Sequence, residues 1–362
     1  MEGTMKVNRF MEPLKMEYRE EAIPQIAPTE VLIKVKATGI CGSDLVYYYG
    51  ESPLDTADGK GPLILGHEFS GVVAEVGEVA KQLNLFKVGD HVAVNPVQTC
   101  NACPACMRGE FNECSHAGVI GTSVDGAMAE YVKAQYTNVY KIDDSIPFEY
   151  AAISEPLACA VHAVNRLDIL PGQTVVIYGV GGIGLMMAQL CKAFGAAKVI
   201  VVARKDYGLE KALECGADFV INNTRTDSKY YAADVAARVR ELNGGELAQR
   251  AILAAGSIEA LQDSLEVTGS CSTIVFFGQA GPNDKLAVPV LDCLKSEKTL
   301  KFSWLAPLVW DQVFKLMASG QVDLSKIITH RFTLEEAERG IKFMRESKEG
   351  KVKGVIIVDP EK

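Results

Sequence analysis

Along the first 155 residues the apolar positions fall in short runs rich in β-branched side chains, VLIKVKAT, SGVVAEVG and HVAVNP, set apart by Gly, Pro and Asp. Runs of this length bounded by turn formers predict strands, so this part of the chain reads as a compact β domain. The pattern changes near LDILPGQTVVIYGVGGIG. From there strand-length apolar segments, TVVIY, AKVIVVA and STIVFFG, alternate with stretches of helical periodicity such as IGLMMAQLCKAFG and YGLEKALECG. Such alternation predicts a parallel sheet covered by helices, here over residues 156–299. Towards the end VFKLMASG and LEEAERGIKFMRES are helical in pattern, and KGVIIVD is a last strand able to return to the first domain. The expected fold class is therefore α/β, with a β-rich domain built from 1–155 and 300–362 and a doubly wound domain over 156–299.

A chain of 362 residues is long enough for two domains with separate cores, and its 48% apolar and 23% charged residues suit a soluble globular protein. A net charge of −9, with no basic patch to offset it, argues against nucleic acid as a partner. The opening MEGTMKVNRFMEPLKMEYRE scatters charges and has no apolar core run, so no signal peptide is expected. The longest apolar stretches are strand-sized and broken by glycine, so no membrane association is expected either. Cytoplasm is the expected compartment. Cys41, Cys159, Cys191, Cys215, Cys271 and Cys293 agree with it, since they show no secreted disulfide pattern.

The remaining four cysteines, Cys100, Cys103, Cys106 and Cys114, lie within fifteen residues in CNACPACMRGEFNEC. Their spacing is that of a closed tetrathiolate site, for which zinc is the favoured ion. An iron–sulfur cluster and a pair of disulfides are the alternatives. The lack of a second cysteine group and the presence of a nucleotide fold favour structural zinc. Such a site has no open coordination position, so it shapes a loop and leaves catalysis to other residues.

The nucleotide signal is the turn where TVVIY meets Gly179, Gly181, Gly182, Ile183 and Gly184 at the start of a helix. Glycines at 179, 181 and 184 allow the tight turn, the close approach of backbone to pyrophosphate and the packing of helix on strand, while the helix N-terminus meets the phosphates. With a strand before and a strand–helix repeat after, this is a Rossmann fingerprint. The second strand runs into Arg204 and Lys205, with no carboxylate at its tip. Two cations there favour the 2′-phosphate of NADP over the bare ribose of NAD, although Asp206 is near enough to reach a ribose.

A reactive centre needs a second metal position if the chemistry is alcohol oxidation. Cys41 in GICGSD and His67 in LGHEFSG are a thiol and an imidazole of the types that bind catalytic zinc, and Glu68 follows the histidine directly. The chain has only five histidines, which sharpens the interest of one placed between glycine and glutamate. Glu155 in ISEPLACAVHA opens the passage into the nucleotide domain and is a further carboxylate candidate.

GICGSD, GHE, the four-cysteine lobe, EPL and GVGGIG, in this order and at these distances, resemble the zinc-dependent medium-chain dehydrogenase/reductase family, in the branch of sorbitol, threonine and butanediol dehydrogenases. The resemblance covers nearly the whole chain. It implies a GroES-like catalytic domain beside the Rossmann domain, and two zinc ions per chain. It also implies a catalytic zinc held by Cys41, His67 and a carboxylate, either Glu68 or Glu155, so that hydride leaves the substrate carbon for the nicotinamide. Ser43 matches the position that contacts the reacting oxygen, Glu155 is a candidate for carrying the proton, and Tyr47 matches a pocket tyrosine of sorbitol dehydrogenases. Those enzymes have an Arg–Tyr pair where this chain has Ser303 and Trp304, which points away from ordinary sorbitol. The implied substrate is a polyol or other secondary alcohol interconverted with the ketose, with a small diol or L-threonine as alternatives. A sugar phosphate would call on Arg108, Lys133 or Lys301. The resemblance also implies a homotetramer, or else a dimer, paired along the last strand of the nucleotide domain.

Overall fold

In a computed structural model, residues 1–52, 61–281, 283–348 and 350–359 are described, and the chain divides into two compact units, Met1–Pro156 with Ile328–Lys362, and Leu157–Ile327. The first unit is organised on the strand Glu30–Ile40, which lies inside a seven-stranded sheet. It pairs antiparallel with Glu68–Val76, with Tyr131–Gln135 and with Lys353–Ile357, so KGVIIVD does return to the first domain. Successive side chains of a strand point to opposite faces. Leu32 accordingly enters one apolar cluster with Phe10, Tyr48, Leu65 and Ile356, while Val31, Ile33 and Val35 enter another with Phe69, Val73 and Val132. Burial on both faces explains why VLIKVKAT is more continuously apolar than a half-exposed strand.

The second unit holds a six-stranded sheet in the order Phe219–Asn222, Lys198–Ala203, Thr174–Tyr178, Ala248–Leu253, Thr268–Phe276, Thr299–Phe302. Every neighbouring pair is parallel. This is the doubly wound order, whose direction reverses between Thr174–Tyr178 and Ala248–Leu253, and ligands bind such sheets at the carboxyl ends of those strands. Residues 300–327, expected in the first unit, belong to the second. Thr299–Phe302 forms the outer strand of the parallel sheet, and Trp310–Ala318 is a helix with Trp310, Val313 and Leu316 buried. The divide falls between Ile327 and Ile328, where neither glycine, proline nor a change of composition marks it. Among the described residues no helix is long and apolar enough to cross a membrane.

Candidate metal centre and dinucleotide pocket

Cys41 leaves the central strand and caps the helix Gly42–Tyr48. The Asp44 carboxylate folds back to accept the Cys41 backbone N–H at 2.8 Å, the reciprocal half of a capping box, and also accepts the Gly66 N–H at 3.3 Å. His67 stands just before the strand Glu68–Val76, and its Nδ1 is 3.6 Å from Asp44 Oδ1. Asp44 thus ties the two loops together and places its carboxylate beside the imidazole. One ligand atom each from Cys41, His67 and Glu68 lies within 4.8 Å of the others. Ser43 Oγ is 3.3 Å from His67 Nε2, so its hydroxyl faces the same place.

The electrostatics of this group call for a cation. Burial disfavours the His67 imidazolium, but Cys41 and Asp44 facing it outweigh that and raise its pKa well above the usual value. The fully buried Glu68 carboxylate has Lys353 Nζ at 2.6 Å from each oxygen. Burial works against the charged amine there too, and the negative charges of Glu68 and Cys41 raise its pKa nonetheless. His67 Nδ1 is buried without a hydrogen-bond partner, the Asp44 carboxylate standing just beyond bonding distance of it. A cysteine, an imidazole and a carboxylate converging within 4.8 Å fit a catalytic zinc, which keeps one coordination position open.

Glu155 is outside this group. It stands half-buried in the first turn of the helix Ser154–Asn165. Tyr47 is directed elsewhere as well: it is 3% exposed, edge-on to Phe10, and its hydroxyl donates to the Thr122 carbonyl at 2.9 Å. Its hydroxyl hydrogen is thus held by the Thr122 carbonyl. Each of the three cations considered for a substrate phosphate is already paired, Arg108 with Glu110, Lys133 with Glu30 and Lys301 with Asp168. Sequence reasoning missed Asp44, although C-x-x-D across a helix start carries the capping-box signal. It also missed Lys353, which had no local signal because its partner is 285 positions away.

The four-cysteine lobe is closed at its base by the antiparallel pair Val97–Gln98 and Gly118–Val119. Its four sulfurs lie within 4.8 Å of one another, the size of one tetrahedral ion site. All ten cysteines of the chain are free thiols. Within the lobe, Cys100 and Cys114 stand 3.6 Å apart, far beyond the sulfur–sulfur bond of about 2.05 Å, so the disulfide alternative falls. The Cys103 N–H points at Cys100 Sγ and the Cys100 N–H at Cys114 Sγ, at 3.3 and 3.4 Å. The backbone N–H groups of Cys106 and Ser115 hold the Cys103 thiol down to about 5, whereas burial pushes Cys106 up to about 12. Without an ion these thiols would not all ionise near neutral pH, and a divalent cation is the natural counter-charge for four thiolates.

In the second unit the glycine turn borders a cavity of about 360 Å³ lined by Gly179, Gly181, Arg204, Lys205, Asn223 and Ser257, among others. Gly179 has φ +114°, a conformation costly for other residues, and a Cβ on Gly184 would lie 2.3 Å from the Gly179 carbonyl oxygen. Gly181, capping the helix Gly182–Ala193, faces open space where a side chain would stand in the way of a ligand. Ile183 lies in the first turn of that helix. Arg204 and Lys205 are exposed and have no ion pair among the described residues. Asp206 instead turns away: its Oδ1 accepts from Asn222 and Ser228, both at 2.7 Å. The cavity therefore presents cations at the tip of the second strand, with Asp206 engaged in the fold and the Glu259 carboxylate, also in the lining, accepting from Ser257 at 2.6 Å and feeling the Arg204 charge.

Residues 27–144 match the alcohol dehydrogenase GroES-like domain and residues 182–319 the zinc-binding dehydrogenase domain. Over 330 residues the chain is 35% identical to sorbitol dehydrogenase of Bacillus subtilis strain 168, covering 90% of both chains. With L-threonine 3-dehydrogenase of Bacillus licheniformis it shares 33% identity over 97% of its own length and 99% of the relative. A Sinorhizobium meliloti 1021 protein, described as a zinc-binding dehydrogenase and solved with NADP, superposes with a TM-score of 0.89 at 30% identity, over 98% of this chain and 99% of that one. A short chain alcohol dehydrogenase of Escherichia coli CFT073, complexed with NADH, gives 0.88 at 30% identity over the same shares. The chain belongs to the zinc-dependent medium-chain dehydrogenase family, with the GroES-like and Rossmann domains that its motifs implied. It is an NAD(P)-dependent alcohol or polyol dehydrogenase of the sorbitol dehydrogenase-like branch.

Proposed function

We propose that this enzyme interconverts a secondary alcohol of a polyol or sugar alcohol with the corresponding ketose, using NADP(H) and a zinc ion held by Cys41, His67 and Glu68. The observation that carries the reading is the convergence of those three side chains within 4.8 Å, beside the Ser43 hydroxyl. Zinc bound there supplies a Lewis acid for the reacting oxygen, and the nicotinamide supplies the hydride acceptor. Asp44 keeps the His67 ring in its ligating orientation. Lys353 lies against the Glu68 carboxylate, an opposite charge within its buried setting. Ser43 Oγ accepts the substrate hydroxyl proton in a hydrogen bond and orients that oxygen. In the second unit, the backbone from Gly181 to Gly184 receives the pyrophosphate, and Arg204 with Lys205 receives the 2′-phosphate. We assign the second zinc to Cys100, Cys103, Cys106 and Cys114, with a structural role.

The substrate reading is narrower than sorbitol itself. Ser303 is buried with its Oγ unpaired, and Trp304 is exposed, where an Arg–Tyr pair would offer several donors to distal hydroxyls. The ion pairing of Arg108, Lys133 and Lys301 disfavours a phosphorylated substrate. The test is a panel of sorbitol, xylitol, ribitol, galactitol, inositols, 2,3-butanediol and L-threonine, offered with NADP and separately with NAD, following absorbance of the reduced nicotinamide. Turnover of a polyol with preference for NADP is the expected result. Turnover confined to L-threonine would overturn the substrate class in favour of a threonine dehydrogenase, the reading supported by the relative at 33% identity.

A homotetramer is the proposed assembly, with a dimer as its smaller alternative. Around the outer strand Thr299–Phe302, the side chains of Val290, Leu291, Leu294, Phe302 and Leu308 are 60–77% exposed, an apolar group that a second copy would cover. Light scattering coupled to size exclusion is expected to return a mass of four chains; a monomer mass would remove the proposal.

A further inference from the structure

The buried Glu68–Lys353 pair spans the central strand of the first unit, and it does so over a residue with no side chain. In the strand register Gly39 stands opposite Glu68 on one side and opposite Val355 on the other, while Ile40 faces Gly354, the neighbour of Lys353. A Cβ built on Gly39 would lie 2.0 Å from Glu68 Oε2 and 3.1 Å from Glu68 Cδ. The Gly39 backbone is not in the left-handed region, so its conformation suits any residue and glycine is not needed for it. A glycine inside a central strand weakens the strand, through lost packing and greater freedom in the unfolded chain. What it provides here is space, on the face where the Glu68 carboxylate crosses to Lys353.

We infer that Gly39 is a positioning residue for the metal centre: the missing side chain at 39 is what allows the Glu68 carboxylate to reach Lys353 and still lie beside Cys41 and His67. This rests on the proposed zinc site. The atom that a Cβ would strike is the far end of a flexible side chain, whereas the nearest neighbour from another element, Ile153 Cγ2, is 3.1 Å away. An alanine at 39 is therefore met first by movement of Glu68. The carboxylate would swing off Lys353, and the Cys41–His67 pair would lose its third ligand atom.

The test is the rate at which zinc passes from the purified holoenzyme to a colorimetric chelator, for wild type, Gly39→Ala, Glu68→Ala and the double variant. In Gly39→Ala one zinc per chain is expected to leave about 10 to 100 times faster, the usual effect of disturbing a residue that orients a ligand, while the zinc of the cysteine lobe stays. In the Glu68→Ala background the same change is expected to add almost nothing, because the group it displaces is gone. Equal acceleration in both backgrounds would overturn the inference. The melting temperatures of the metal-free proteins provide a readout that does not depend on zinc. There the Gly39→Ala shift is expected to shrink when Glu68 is alanine, and additive shifts would show that the two positions do not communicate. If Gly39→Ala alone does not fold, recovery in the double variant supports the inference and failure of both refutes it. A wild type that carries zinc only in the cysteine lobe would defeat the zinc-site reading, while the melting-temperature comparison would still decide the contact.

Discussion

Replacing His67 with alanine is expected to lower kcat by about a thousandfold or more, and to remove one zinc per chain, without weakening NADP. The size follows from the role of the ion. A Lewis acid at the reacting oxygen stabilises developing charge by several kcal/mol, and each 1.4 kcal/mol or so is about a factor of ten in rate. NADP affinity should survive because the glycine turn and the Arg204 rim lie in the second unit, whose core is built from its own strands. Steady-state kinetics, elemental analysis and a fluorescence titration of the cofactor check the three parts together. Cys100→Ala is the contrasting case. It should also remove one zinc, but its main effect should be a lower melting temperature, since a structural site contributes folding energy. Retention of turnover in His67→Ala would remove that residue from the catalytic site. Retention of two zinc ions in Cys100→Ala would do the same for the lobe.

The second large effect concerns the cofactor. In Arg204→Asp the KM for NADP is expected to rise about 10- to 100-fold, with much less change for NAD. A charge-assisted, bidentate contact to phosphate is worth roughly 1.5–3 kcal/mol, and a carboxylate in its place adds repulsion. Asp206 would not compensate in either direction, because Asn222 and Ser228 hold its Oδ1 at the base of the same loop. Initial rates with both cofactors at a fixed alcohol concentration measure this. Equal changes for NADP and NAD would show that Arg204 does not meet the 2′-phosphate.

What could be read without coordinates was whatever lay close along the chain. Fifteen residues hold all four cysteines of the lobe, the glycine turn is continuous with its strand and helix, and the alternation of strands and helices names the doubly wound unit by itself. Local spacing also marked Cys41 and His67 as metal-binding types. That Glu68 lies within 4.8 Å of both could not be read that way, because it depends on the register that sets Glu68 opposite Gly39 on the neighbouring strand. Lys353 enters from 285 positions away, and only packing shows the Tyr47 hydroxyl bonded to Thr122. The extent of the second unit was also a tertiary matter, since Thr299–Phe302 joins the parallel sheet with no change in composition at Ile327. The sequence by itself determined the fold class, the cysteine lobe and the cofactor turn, since short-range periodicity and spacing encode them. The tertiary structure decided which carboxylate faces the cysteine and histidine, and what holds that carboxylate in place. Those depend on strand pairing between distant segments, and no local pattern records such pairing.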